Sequence, residues 1–187
     1  MNQLKSANMK QKWETDASNP SEYHVVKVRR GREFILRLTT GADVVLAIQK
    51  FAQDHKIRFA KIHAAFMGGL QPARFLIWAP DTKDPTNWHN ESPATVQNLS
   101  MILAMGGMIS VRQENGRDLP FAPIHFVTGG AWNVSTMGGH LLEGSIVKGV
   151  CEVFITEILG IDLSPPTEKL TDPNAKGYPE NWFTEIG

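Results

Sequence analysis

The chain has 187 residues, 42% hydrophobic and 20% charged, enough for one domain with a real core, which excludes disorder over the whole chain. Nineteen basic and nineteen acidic side chains cancel, so bulk positive charge is not available to hold nucleic acid, although a local basic patch remains open. The longest apolar runs are interrupted by Ser, Gly, Lys or Glu, which argues against a membrane span and against a membrane as partner.

Residues 1–22 are polar and aperiodic, with Trp13 the one large apolar group, and an N-terminal arm is expected over 1–24. No apolar leader follows Met1, and the single cysteine, Cys151, allows no intramolecular disulfide; the expected compartment is the cytoplasm. In that setting the sequon Asn133-Val134-Ser135 carries little weight.

The domain is expected over 25–162. Phe34, Leu36 and Leu38 alternate with Ile35 and Arg37, a strand pattern. Asp43 suits a helix start, and Val44, Ile48, Phe51 and Ala52 form one apolar helical face up to about His55. Residues 57–65 read as a strand, Gly68-Gly69 as a turn or bulge, and 71–78 as the next strand. The longest interior loop runs over 80–93 and holds Asp81, Asp84, Trp88 and His89. Strands at 95–105 and 108–112 are expected to be separated by Gly106-Gly107, and Asn115-Gly116 signals a hairpin. Strands at 124–128, 141–148 and 151–158 complete a set of seven or eight. The tail, 163–187, is rich in proline and reads as irregular, packing through Tyr178, Trp182 and Phe183. The fold class is α+β, with one mainly antiparallel sheet and one long helix.

The order of these elements and their glycines resembles the plant and prokaryote conserved (PPC) domain, found after AT-hooks in plant nuclear proteins and alone in bacteria and archaea. The residues that carry the likeness are 32–38 with Gly41-Ala42-Asp43, Phe51-Ala52, the segment 64–70, Gly106-Gly107-Met108-Ile109-Ser110 and Ile124-His125-Phe126-Val127. The most specific piece is Gly138-Gly139-His140-Leu141-Leu142-Glu143-Gly144, followed by residues 151–157. The resemblance covers about 25–160 and implies a PPC-like sheet of about seven strands and a homotrimer whose sheets pack across subunits.

It also implies a metal site. Prokaryotic members carry a His-x-His pair on a strand and a later Gly-Gly-His, whose three imidazoles can hold zinc. The chemistry is sound: residues i and i+2 of a strand share a face, and three ligands leave one open position. Here His140 and His125 match two of the three, but Pro123 stands where the third is expected and cannot ligate. His63, His89 and Glu143 are the candidates to replace it. The alternative is a metal-free pocket in which His125 and His140 are hydrogen-bonded to backbone or water.

Gly138 and Gly139, with Glu143, are candidate cofactor-binding residues, because glycines let a ligand approach; the same glycines equally make a bulge before a strand. No phosphate loop occurs, nor a Gly-x-Ser-x-Gly elbow that would give Ser110, Ser135 or Thr136 a triad. The basic cluster 27–32 lacks the proline of an AT-hook and reads also as a charged strand edge. Trp78, Trp88 and Trp132 suit either a pocket wall or a subunit contact. Asp81 and Asp84 read as turn formers. Two readings stand ahead: a trimeric small-ligand module with its pocket at His125 and His140, and a DNA-binding or regulatory protein without an AT-hook. A structural trimer that docks other proteins is the third.

Overall fold

The computed structural model describes residues 25–66, 68–80, 88–90, 93–130, 136–163 and 183–186. The arm at 1–24, Trp132, Ser135 and most of the proline-rich tail lie outside them, as do Asp81, Asp84 and the side chains of Trp78, Trp88 and His89. The chain divides into two units, Arg30–Leu159 and the flanking Met1–Arg29 with Gly160–Gly187.

In chain order the elements begin with β1 (Arg29–Thr39), where Phe34, Leu36 and Leu38 turn to the core and Glu33, Ile35 and Arg37 to solvent. Helix α1 (Val44–Asp54) starts at Asp43, whose Oδ1 accepts the backbone N–H groups of Val45 and Leu46 at 3.0 and 3.1 Å. Its Oδ2 accepts the Gly144 N–H at 2.5 Å, so one cap also fastens a distant turn. Val44, Val45, Ile48, Phe51 and Ala52 form the helix's buried face, as the spacing predicts.

After the helix come β2 (Ala60–Phe66), β3 (Gly69–Leu70), β4 (Ala73–Leu76), β5 (Trp78–Pro80), β6 (Trp88–Asn90) and β7 (Ala94–Val96). The long β8 (Ser100–Glu114) turns at Asn115-Gly116 into β9 (Arg117–Phe121), both turn residues having positive φ as the hairpin signal requires. Then follow β10 (Ile124–Gly130), β11 (Met137–Leu141), β12 (Val147–Lys148) and β13 (Val150–Leu159). In the smaller unit β14 (Ile161–Leu163) pairs antiparallel with β15 (Phe183–Glu185), and Glu185 Oε1 accepts the Lys27 N–H at 2.6 Å.

Among the described residues eleven strands form one sheet, along the path β1-β13-β2-β8-β10-β11-β4-β7, with β3 linking β8 to β12 and β9 on β8. This corrects the expected count of about seven. β4 lies within the strand expected at 71–78, whereas the strand expected at 141–148 is displaced, with β11 ending at Leu141 and β12 holding only Val147–Lys148; β3, β7 and β12 have two or three residues, too few to show an alternation. β5 and β6 make a separate two-stranded ribbon inside the region expected to be loop. The Gly106-Gly107 pair does not break its strand. Gly107 lies mid-sheet between Ile62 and Ile124, where a Cβ would come 2.2 Å from the Pro123 carbonyl oxygen. Close backbone approach, not a turn, requires that glycine.

One face of the sheet, with Ile62, Ile109, Ile124, Phe126, Leu141 and Val153, packs with the helix into a single core. Because side chains alternate, the opposite face carries His63, His125 and His140.

Candidate functional site: histidines on the outer sheet face

His125 of β10 and His140 of β11 are cross-strand partners, and their rings meet edge to face with centroids 5.3 Å apart. His125 is exposed and His140 half-buried. Burial first, and the neighbouring His125 second, hold the His140 imidazole below its ordinary value, which favours the neutral ring. On the other side of His125 the partner is Gly106, and beyond His140 it is Leu76, so four strands contribute one row. A Cβ on Gly106 would have only the Ile62 carbonyl oxygen within 4 Å, at 3.6 Å, so the space above this glycine is open.

Gly138 and Gly139 serve the strand itself. A Cβ on Gly138 would lie 2.2 Å from the Phe126 carbonyl oxygen, and one on Gly139 2.3 Å from that of Leu76. The close approach here is between backbones, and it sets β11 where His140 meets His125. Glu143 is exposed in the turn after β11; its carbonyl oxygen accepts Arg74 Nη1 at 2.8 Å.

Among the described residues the donor set falls short of a zinc centre. Pro123 precedes β10, and its carbonyl oxygen accepts the Met108 N–H. Among the described residues no three His, Cys, Asp or Glu side chains group as a metal site, so neither His63 nor Glu143 completes the pair. Two imidazoles can touch a metal, but a zinc centre takes three or four protein ligands.

His63 belongs to a different cluster. Phe154 pairs with Ala64 and Ile155 with Ile62, which leaves His63 as the extra residue of a β-bulge. Its Nε2 lies 2.7 Å from Thr156 Oγ1, which donates to Glu33 Oε1 at 3.1 Å. Arg30 pairs with the same Glu33 oxygen. Glu33 and Thr156 were invisible as site residues in the sequence: they lie 123 positions apart, and neither stands in a chemical motif.

The other sequence candidates resolve into structure. In the basic cluster, Arg30 pairs with Glu33 and Arg32 with Glu157, on a strand at the end of the sheet path. Cys151 is buried in β13; burial first, then the charge of Glu152, pushes its thiol up to about 11, which disfavours the reactive thiolate. Ser110 is buried within β8. Among the described residues no helix is long and apolar enough to cross a membrane.

Among the described residues the chain is a mainly antiparallel sheet with one helix, and a Gly-Gly-His strand lies beside His125. Residues 26–159 match the Plants and Prokaryotes Conserved (PCC) domain, and the chain belongs to that family. Among solved structures it is similar to a plant- and prokaryote-conserved (PPC) protein of Pyrococcus horikoshii, at 20% identity and a TM-score of 0.62 over 79% of this chain and 92% of that one. A metal-containing protein of Archaeoglobus fulgidus is 26% identical, with a TM-score of 0.56 over 73% and 86% of the two chains. A protein of Ralstonia eutropha named as a DNA-binding candidate is 21% identical, with a TM-score of 0.55 over 81% and 90%. No curated protein matches the chain.

Proposed function

We propose that the chain is a homotrimeric PPC module that binds a small ligand over the His125–His140 pair. The observation that carries this reading is the pair itself: two imidazoles in cross-strand contact, beside open space at Gly106, one of them biased to the neutral state that ligates or accepts a hydrogen bond. Gly138 and Gly139 place the strand that presents His140, and Glu143 stands at its end. Zinc is the metal form of such a ligand, with donors beyond the two histidines coming from outside the described pair. The single buried cysteine suits a reducing cytoplasm.

The test is zinc content and zinc titration of protein purified without a histidine tag or chelator, on the wild type and on His140→Ala. The variant should keep its fold and assembly and lose zinc; a variant that fails to assemble would make His140 structural and sink the proposal. If the wild type takes up no zinc, an organic-ligand screen by thermal shift, compared between wild type and His140→Ala, decides the rest. A DNA-binding reading rests on the names of relatives such as the Ralstonia protein. The neutral net charge and the acids paired with Arg30 and Arg32 speak against it. A complex with A·T-rich duplex at physiological salt that weakens in Arg29→Ala/Arg30→Ala would restore it.

A further inference from the structure

The outer face of β1, β13 and β2 holds an open groove of about 770 Å3 whose wall includes Arg30, Glu33, Phe34, His63, Phe154 and Thr156. Its polar groups are ordered by proton counting. A hydroxyl has one proton to give. Arg30 and Thr156, in that order, hold the Glu33 carboxyl below its usual range, so it accepts and does not donate. The Thr156 proton is therefore committed to Glu33, and in the 2.7 Å contact with His63 the donor must be Nε2. That fixes the tautomer: neutral His63 carries its proton on Nε2 and a lone pair on Nδ1. The charged groups around it are Glu33 and Arg30 of β1 and, two residues away on its own strand, Lys61; β13 presents Thr156 and β8 presents Gly106.

We propose that this groove is a second ligand site, for a planar molecule with a weakly acidic hydroxyl, of the phenol or enol class, whose proton passes to His63 Nδ1 and whose oxyanion is held by Arg30. The ligand O–H bond breaks and an N–H bond forms on His63; no electrons are transferred. Glu33, one hydroxyl away, is the counter-charge of the imidazolium. Arg30 gives Glu33 a hydrogen bond through Nη2, one of the five N–H groups of a guanidinium, and the others can serve the oxyanion. Phe154 and the exposed Ile35 offer the ring an apolar wall. The bulge that turns His63 toward Thr156 is the kind of local distortion that re-aims a side chain at a site. Strand β8 lies between β2, which carries His63, and β10, which carries His125, a distance of two strand spacings or roughly 10 Å, so the two sites can be tested apart.

The probe is 3-nitrophenol, whose anion absorbs at longer wavelength than the neutral phenol and which is a weak enough acid that, one unit below its own pKa, an ordinary imidazole, with a pKa of about 6.5, is mostly neutral. Full-length protein is added at a pH about one unit below the probe's own pKa, and the anion band is followed. The expected result is a saturable rise in anion with wild-type protein, at least tenfold weaker binding in His63→Ala, severalfold weaker binding in Thr156→Val and Glu33→Gln, and no change in His125→Ala. Glu33 is on the exposed rim, so Glu33→Gln tests the relay even if the buried Thr156→Val does not fold. No rise with the wild type, or an equal rise with His63→Ala, would overturn the proposal and leave the three side chains as a structural tie.

Discussion

Glu157 is a carboxylate only 8% exposed, held by a single arginine. Arg32 donates to its Oε2 through the backbone N–H at 3.1 Å and Nε at 2.8 Å, and to its Oε1 through Nη2 at 2.7 Å. Gly31 makes room for it, since a Cβ there would lie 2.8 Å from Oε2. The side-chain hydrogen bond from Arg32 is the main cause that holds the Glu157 carboxyl below its usual range. A carboxyl depressed in the fold contributes stability that is complete above its unfolded value, about 4.3, and is lost as pH falls through the folded value. Glu157→Gln should therefore cost about 1.5–3 kcal/mol at pH 7, the range for hydrogen bonds to a charged group. Urea denaturation at pH 7 and pH 3 checks it: the gap between wild type and variant should narrow on acidification, and an equal gap at both would refute the account. This pair also shows what a linear reading misses. Residues 27–32 read as a basic cluster, yet the acid that organises Arg32 lies 125 positions away.

At the scale of elements, the helix was legible because everything that makes it is local: a 3.6-residue apolar spacing and one acidic side chain before it. Asp43 acts as the N-cap, and its second oxygen reaches Gly144, a long-range tie with no local signal. Asp43→Ala should lower stability by about 1–2 kcal/mol through the cap, with further loss through the freed Gly144 N–H, while Asp43→Asn retains much of the cap. Thermal unfolding of the two variants decides it; equal losses would mean that charge, not the cap geometry, matters. Strands of two or three residues, and the bulge at His63, depend on neighbours far off in the sequence and were not legible. The same division holds for the site. His125 and His140 were readable as residues from the Gly-Gly-His likeness, but their cross-strand contact comes from the β10–β11 register, and the Glu33–Thr156–His63 chain comes from three strands meeting.

At the scale of the molecule, the outer sheet face is the feature a lone chain does not explain. Beside the histidine row, Leu103 is 61% exposed, Met101 43% and Val127 40%. Leu103 is placed by a second bulge, where the β8–β10 register skips from Ala104 to Ile102, and its side chain lies across Gly129, 3.0 Å from where a Cβ would be. Adjacent exposed aliphatic side chains on a rigid sheet mark an association surface. In the proposed homotrimer the β8–β10 part of this face meets a neighbouring subunit, which would bring the His125–His140 pair to a subunit boundary. Light scattering should give a mass about three times the 20.8 kDa of the chain. Leu103→Glu, which sets a carboxylate into the apolar contact at little cost to an isolated chain, should shift that mass toward one chain and leave the far-ultraviolet spectrum unchanged. Wild-type protein at the mass of one chain would remove the trimer. A trimeric Leu103→Glu would move the interface to another face and leave the histidine pair open to ligands within a single subunit.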